Sequence, residues 1–236
     1  MSRRLPVVAI DGPAGAGKST VTRRVAERLG YRVLDTGALY RSVALAAHRT
    51  KVSFDDDPGV SGIANALAEE NSVDFVADAP AGQRVLMRGE DVTIAIRTQA
   101  MSDGASRVSA LPGVRLALLE LQRAIGRSGG VVVEGRDIGS VVFPDAEAKF
   151  YLTATAEERA RRRHAELVAR GEAVNVADIL LEVRERDERD MNRSVAPLIQ
   201  APDARAIDSS NLSIDDVVDL IAAEVERIAA NLRDGE

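Results

Sequence analysis

Short, nearly unbroken apolar runs recur along the chain, and most are followed by stretches whose apolar residues return every three or four positions. The first kind reads as a strand buried on both faces, the second as an amphipathic helix. Pro6–Ile10 is the first run; Val21, Val25 and Leu29 then mark one face of a helix that Gly30 ends from a C-cap position. Tyr31–Asp35 predicts a second strand, with a helix opening at Thr36–Arg41 and carrying Leu39, Val43, Ala46 and Ala47. Gly130–Glu134, Ala148–Thr153 and Ala204–Asp208 supply three more strands. Between the last two, Thr155-Ala156-Glu157-Glu158 has the form of a capping box ahead of a charged helix ended by Gly171, and a second charged helix spans about 176 to 193. The final helix starts at a Ser213-x-x-Asp216 cap and aligns Val218, Ile221, Val225, Ile228 and Leu232. Strands alternating with helices predict an α/β fold, a five-stranded parallel sheet with helices on both faces.

Residues 51 to 104 break that rhythm. A polar stretch, Phe54–Gly59, leads into a helix near Ile63–Glu69. Two alternating segments, Val73–Val76 and Arg84–Arg88, joined by Asp78-Ala79-Pro80-Ala81-Gly82, predict a hairpin and hence a small inserted lobe. Helices near 98–110 and 114–125, separated at Pro112-Gly113, return the chain to the main fold.

Composition narrows the chemistry. The 236 residues contain no cysteine, which removes disulfides, zinc thiolates and thiol nucleophiles. Two histidines, His48 and His164, are too few for an ordinary metal cluster. No stretch approaches the roughly 20 apolar residues of a membrane helix. The apolar run after Met1-Ser2-Arg3-Arg4 ends at Asp11, too early for a signal peptide, so a cytoplasmic protein without a membrane partner is expected. A net charge of −6 argues against a nucleic-acid coat protein. Of 31 basic residues only Lys18, Lys51 and Lys149 are lysines. Arginine grips carboxylate and phosphate with two parallel hydrogen bonds, but only arginines inside a larger pattern carry weight.

That pattern begins at the end of the first strand. Gly12-Pro13-Ala14-Gly15-Ala16-Gly17-Lys18-Ser19-Thr20 is G-x-x-x-x-G-K-[ST] between a strand and a helix, the context of a triphosphate-binding loop. Backbone N–H groups curl around phosphate oxygens, Lys18 reaches the terminal phosphates, and the Ser19 hydroxyl suits Mg²⁺. A tight glycine turn serving only packing leaves the Lys18-Ser19 pair unexplained. The absence of an N-K-x-D segment disfavours a GTPase. A phosphate acceptor is already ionised near neutral pH and needs no catalytic base, only neutralisation of charge, which an arginine-rich, histidine-poor chain can give.

Five segments in order, Ile10–Thr20, Leu34–Arg41, Ile96–Gln99, Glu134–Asp145 and Arg186–Arg193, resemble bacterial cytidylate kinases over about residues 5 to 225. The insert at 51–104 is itself typical of the bacterial form. The resemblance implies a P-loop core (1–35, 105–154, 195–236), a nucleotide-monophosphate lobe (36–104) and an arginine-rich lid (155–194). It implies transfer of the ATP γ-phosphoryl to CMP or dCMP by a cytoplasmic monomer, with Mg²⁺. Lys18, Arg136 and Arg193 would be catalytic. Arg41, Arg136 and Arg193 would hold the acceptor phosphate, with Tyr40 in support. Ser106, Arg115 and Asp137 would read the cytosine, Arg186 and Asp190 would touch the sugar, and Thr36 and Gly135 would complete that site. Gly12 to Thr20 with Arg159 and Arg163 would bind ATP. Ser19 would hold the metal, with Asp35 and Glu134 reaching it through water; the family often has Asp where this chain has Glu134. A kinase for UMP or AMP, or a nucleotide sensor without turnover, are the alternatives.

Arg186, Asp190 and Arg193 are spaced i, i+4, i+7 and share one helix face. Spacing alone favours a solvated salt-bridge ladder with Glu182, Glu185 and Arg189; the other motifs turn the reading toward a binding face.

Overall fold

The structure, a computed structural model, describes residues 5–78 and 82–234. They form two compact units, residues 5–32 with 128–234, and residues 33–78 with 82–127.

In the first unit β1 (Val7–Asp11) leads through the glycine loop into α1 (Lys18–Leu29). Gly30 closes α1 in the left-handed conformation, φ 67°, as its position predicts. The chain crosses to the second unit within β2 (Arg32–Asp35). That second unit opens with α2 (Thr36–Arg49), capped by the Asp35 carboxylate, which accepts from Ala38 N at 3.0 Å. Helix α3 spans Asp57–Glu69, starting ahead of the predicted Ile63. Pro58 and Gly59, at the end of the predicted polar stretch, fall inside it, since proline is tolerated in a first turn, and Asp56 caps it through Gly59 N. β3 (Val73–Asp78) and β4 (Gly82–Met87) pair antiparallel, and β5 (Glu90–Asp91) completes a three-stranded lobe sheet. The predicted turn at 78–82 falls largely on Ala79–Ala81, outside the described residues. Helices α4 (Gln99–Val108) and α5 (Pro112–Gly126) belong to this second unit and pack on α2 and α3 respectively.

Back in the first unit, β6 (Val131–Gly135) is buried at every residue, and β7 (Ala148–Thr153) and β8 (Arg205–Asp208) follow. The sheet order is β2-β6-β1-β7-β8, with β1–β6, β1–β7 and β7–β8 parallel, so the α/β expectation holds. Val8, Ile10, Val132, Phe150 and Leu152 are essentially inaccessible, the two-sided burial that parallel sheets require. Helix α8 (Ile214–Asp234) buries Val218, Ile221 and Val225 and packs on α1. Its start is a full capping box: Asp216 N donates to Ser213 Oγ at 3.1 Å and Ser213 N to Asp216 Oδ2 at 3.0 Å. Helix α6 (Ala156–Ala169) has only half of one. Glu158 N donates to Thr155 Oγ1, but Arg161 and Arg162 take the Glu158 carboxylate. Helix α7 (Val176–Asn192) packs back on α6 through Leu167, Ile179 and their neighbours. Among the described residues no helix is long and apolar enough to cross a membrane.

Candidate active site

At the end of β1 the backbone turns at Gly12, φ 146°, where a Cβ would stand 1.9 Å from the Leu152 carbonyl oxygen. No side chain fits there. Helix α1 then starts at Lys18 after Gly17, φ 91°, an N-cap residue with no side chain to occupy the helix's first N–H groups. Those donors and the positive end of the helix are what an anion needs. Lys18 is buried, and its ammonium donates to Pro13 O at 2.7 Å. Burial first, and then the charge of Arg136, hold it well below the usual lysine range. Arg186 adds to this, while Glu134 and Asp11 oppose it. The Ser19 hydroxyl donates to Glu134 Oε2 at 2.9 Å.

Directly after β6, Arg136 Nε donates to Asp190 Oδ2 at 2.8 Å, and Arg193 Nη2 to Asp137 Oδ1 at 3.3 Å. Both side chains of the Arg193–Asp137 pair are almost wholly covered. Burial alone would raise the Asp190 carboxyl; Arg136 and Arg186 outweigh it and hold it below the usual range. Arg136 and Arg186 are therefore close enough to Lys18 and to Asp190 to act on both. Buried ion pairs recover their desolvation cost only with good geometry, so arginines gathered this way beside a triphosphate-type loop are costly unless an anionic ligand uses them.

In the second unit the Asp35 carboxylate is occupied, Oδ1 by Ala38 N and Oδ2 by Arg41 at 2.7 Å. Arg115 lies 5.9 Å from the Tyr40 ring centre and donates to Ser109 O at 3.3 Å. Thr36 is buried. Ser106 Oγ and Arg41 Nε are buried without a hydrogen-bond partner. Native structures rarely leave such atoms unmatched.

Residues 8–227 match the cytidylate kinase family model. The chain belongs to the cytidylate kinase family. It is 49% identical over 228 residues to a cytidylate kinase of Shewanella pealeana, covering 96% of this chain and 97% of the relative. With one of Geobacter sp. strain M21 it shares 51% over 224 residues, 94% of each. A solved uncharacterized protein from Eubacterium ventriosum has the same fold, TM-score 0.51 at 11% identity, over 94% of this chain and 98% of that one.

Within this cytidylate kinase family member, the first unit brings Lys18, Glu134, Arg136, Arg186 and Asp190 into one interacting group, with the Asp137–Arg193 pair beside it in the chain. The second unit carries Thr36, Tyr40, Arg41, Ser106 and Arg115. Arg159 lies at the phosphate loop, but its guanidinium is spoken for. It donates to Asp187 at 2.9 and 2.6 Å, to Ala154 O, and to Ala14 O of the loop at 3.1 Å. Arg163 pairs with Glu166 along α6. Three residues that pattern reading passes over hold this site together. Asp187 anchors Arg159; Ser209 accepts from Arg162 through both hydroxyl and carbonyl oxygens; Asp11 accepts from Ile138 N and Gly139 N at 2.8 Å each. Asp187 sits in a charge run and Ser209 in a polar turn, where nothing in composition distinguishes them. Asp11, polar at the end of a buried strand, was the one visible signal.

Asp11 gives a pH prediction. Burial pushes its carboxyl up to about 6 from 3.8, Asp137 pushing the same way and the two N–H donors and Lys18 pulling back. A carboxyl raised in the folded state binds protons more tightly there, so its contribution is full below about pH 4 and lost as pH rises through about 6. Between pH 6.5 and 4.5 the wild type should lose less stability than Asp11→Asn by on the order of 2 kcal/mol. Urea midpoints at the two pH values measure it; equal acid losses in both proteins would contradict the raised carboxyl.

Proposed function

We propose that the protein transfers the γ-phosphoryl group of ATP to CMP or dCMP, releasing ADP. The observation that carries this reading is the buried Arg193–Asp137 pair with the half-buried Arg136 held on Asp190, behind a loop whose Lys18 feels Arg136. Two anions must meet for phosphate to attack phosphate, and fixed guanidiniums offset their repulsion before the reaction begins. On the donor side, the loop amides and Lys18 hold the triphosphate. On the acceptor side, Arg136 and Arg193 hold the monophosphate, Asp190 with Arg186 the sugar, and Asp137 the cytosine. In the second unit Arg41 with Tyr40 serves the phosphate, and Ser106 with Arg115 the base, roles supported by the unmatched Ser106 Oγ and Arg41 Nε. No general base is required, because the acceptor is already ionised.

The Ser19 hydroxyl and Glu134 carboxylate, 2.9 Å apart, are hard oxygen donors of the kind magnesium takes alongside substrate phosphates. They fit that ion and would hold it, Glu134 through water; Asp35, with both oxygens engaged, fits it less well than the sequence implies. When bound, magnesium neutralises charge on the donor phosphates. The protein works as a cytoplasmic monomer in this reading, with α6 and α7 as its lid. The test is ADP release with ATP, Mg²⁺ and each of CMP, dCMP, UMP and AMP. CMP and dCMP should drive it; release independent of any acceptor, or strongest with AMP, would overturn the assignment.

Cytosine offers an amino donor at C4 where uracil offers an acceptor. A carboxylate facing that position satisfies the first and repels the second. The wild type should prefer CMP over UMP by about tenfold or more in kcat/KM. Asp137→Asn should narrow that gap, mainly by losing CMP activity, since an amide can donate to the uracil oxygen. An unchanged CMP/UMP ratio in the folded variant would remove Asp137 from base recognition.

A further inference from the structure

The first N–H groups of a helical turn need acceptors, and an Asp at the N-cap position ordinarily supplies one itself. Asp137 occupies that position before the wide helical turn Ile138–Val142, yet its side chain makes no cap bond. It faces Arg193 instead. The N–H groups of Ile138 and Gly139 donate to Asp11, one to each carboxylate oxygen, at 2.8 Å. Asp11 stands on β1, which pairs with β6 so that Asp11 lies opposite Gly135. It is 4% exposed, so these bonds are not exchanged for water.

We propose that Asp11 is a positioning residue for acceptor recognition: by capping the 138–142 turn from the neighbouring strand, it leaves the Asp137 carboxylate turned toward Arg193 and the acceptor. Repulsion between the two carboxylates works in the same direction, because it disfavours Asp137 swinging back to the N–H groups that Asp11 holds. Without Asp11 those groups lose their acceptors, and Asp137 holds the N-cap position from which an Asp ordinarily serves them. The structural link stands on geometry; its consequence for CMP rests on the kinase reading above.

A double-mutant cycle tests it. Asp11→Asn keeps size and one acceptor but sets an amide donor against the second N–H. With ATP and Mg²⁺, kcat/KM for CMP should fall by about tenfold or more while KM for ATP moves by less than about threefold. Asp11→Asn placed on Asp137→Asn should cost less than about threefold further, because Asp11 acts through Asp137. Additive losses, or equal losses toward ATP and CMP, would overturn the proposal and leave Asp11 a packing residue. Amide hydrogen exchange of the wild type covers the case of a variant that does not fold. Ile138 and Gly139 should be among the slowly exchanging amides, and fast exchange at both would equally overturn the cap. Absence of any CMP-dependent ADP release from the wild type would instead defeat the kinase reading, and exchange would then decide the cap alone.

Discussion

Replacing Lys18 with alanine lowers kcat by about two orders of magnitude or more, the scale of a lost charge contact to the moving phosphoryl group. The residue is buried at the start of α1, and the structure makes its charge expensive: burial and Arg136 both disfavour the ammonium. A cation kept in such a place contributes little to folding. The alanine variant should therefore melt no lower than the wild type, which separates loss of catalysis from loss of structure. The contact to Pro13 O holds the ammonium against the glycine loop. Single-turnover rates with saturating ATP and CMP measure the effect. Near-normal turnover in folded Lys18→Ala would remove this loop from phosphoryl transfer.

Arg193→Met lowers kcat/KM for CMP by about 10²-fold or more, the scale of a charge-assisted hydrogen bond lost from a site that excludes water. Methionine keeps the apolar bulk and removes the charge. The side chain is 5% exposed and that of its partner Asp137 7%, so the variant strands a buried carboxylate as well as losing the proposed phosphate contact. The loss should accordingly exceed that of an exposed arginine, and Arg193→Lys, which keeps the charge but not the fork, should recover only part of it. ATP affinity measured without CMP should change little. Equal weakening of ATP and CMP would move Arg193 from the acceptor site to the lid.

What the sequence displays is whatever its local rules govern. The strand before Gly12, the helix after it, the Gly30 cap and the Ser213–Asp216 box follow from spacing over a few residues, and each is found. Two local signals mislead. Phe54–Gly59 reads as a polar stretch ahead of the helix but its last three residues form the first turn of α3, and Thr155–Glu158 spells a full box whose carboxylate arginines of the next turn take away. The contacts that shape the site are not local at all. Asp11 serves amides 127 and 128 positions away, and Asp187 holds an arginine 28 positions earlier. No periodicity encodes such pairs; the first arises because the parallel sheet brings the ends of β1 and β6 side by side, the second because α7 packs back on α6. Arg159 shows the same limit from the other side: residue type and helix face fit a phosphate ligand, whereas its observed partners are Asp187 and backbone carbonyls.

The glycine at position 12 has a mechanical consequence for the arginine-bearing helices. Its missing side chain lets the Leu152 carbonyl press against the loop, with 1.9 Å to where a Cβ would be. Leu152 is one residue from the end of β7, and α6 begins at Ala156. A side chain at position 12 would force the loop and the end of that strand apart. The first turn of α6 is tied back to the same place, since Arg159 donates to the Ala154 carbonyl just after the strand and to the Ala14 carbonyl of the loop, so the helix is anchored at the end that meets the loop.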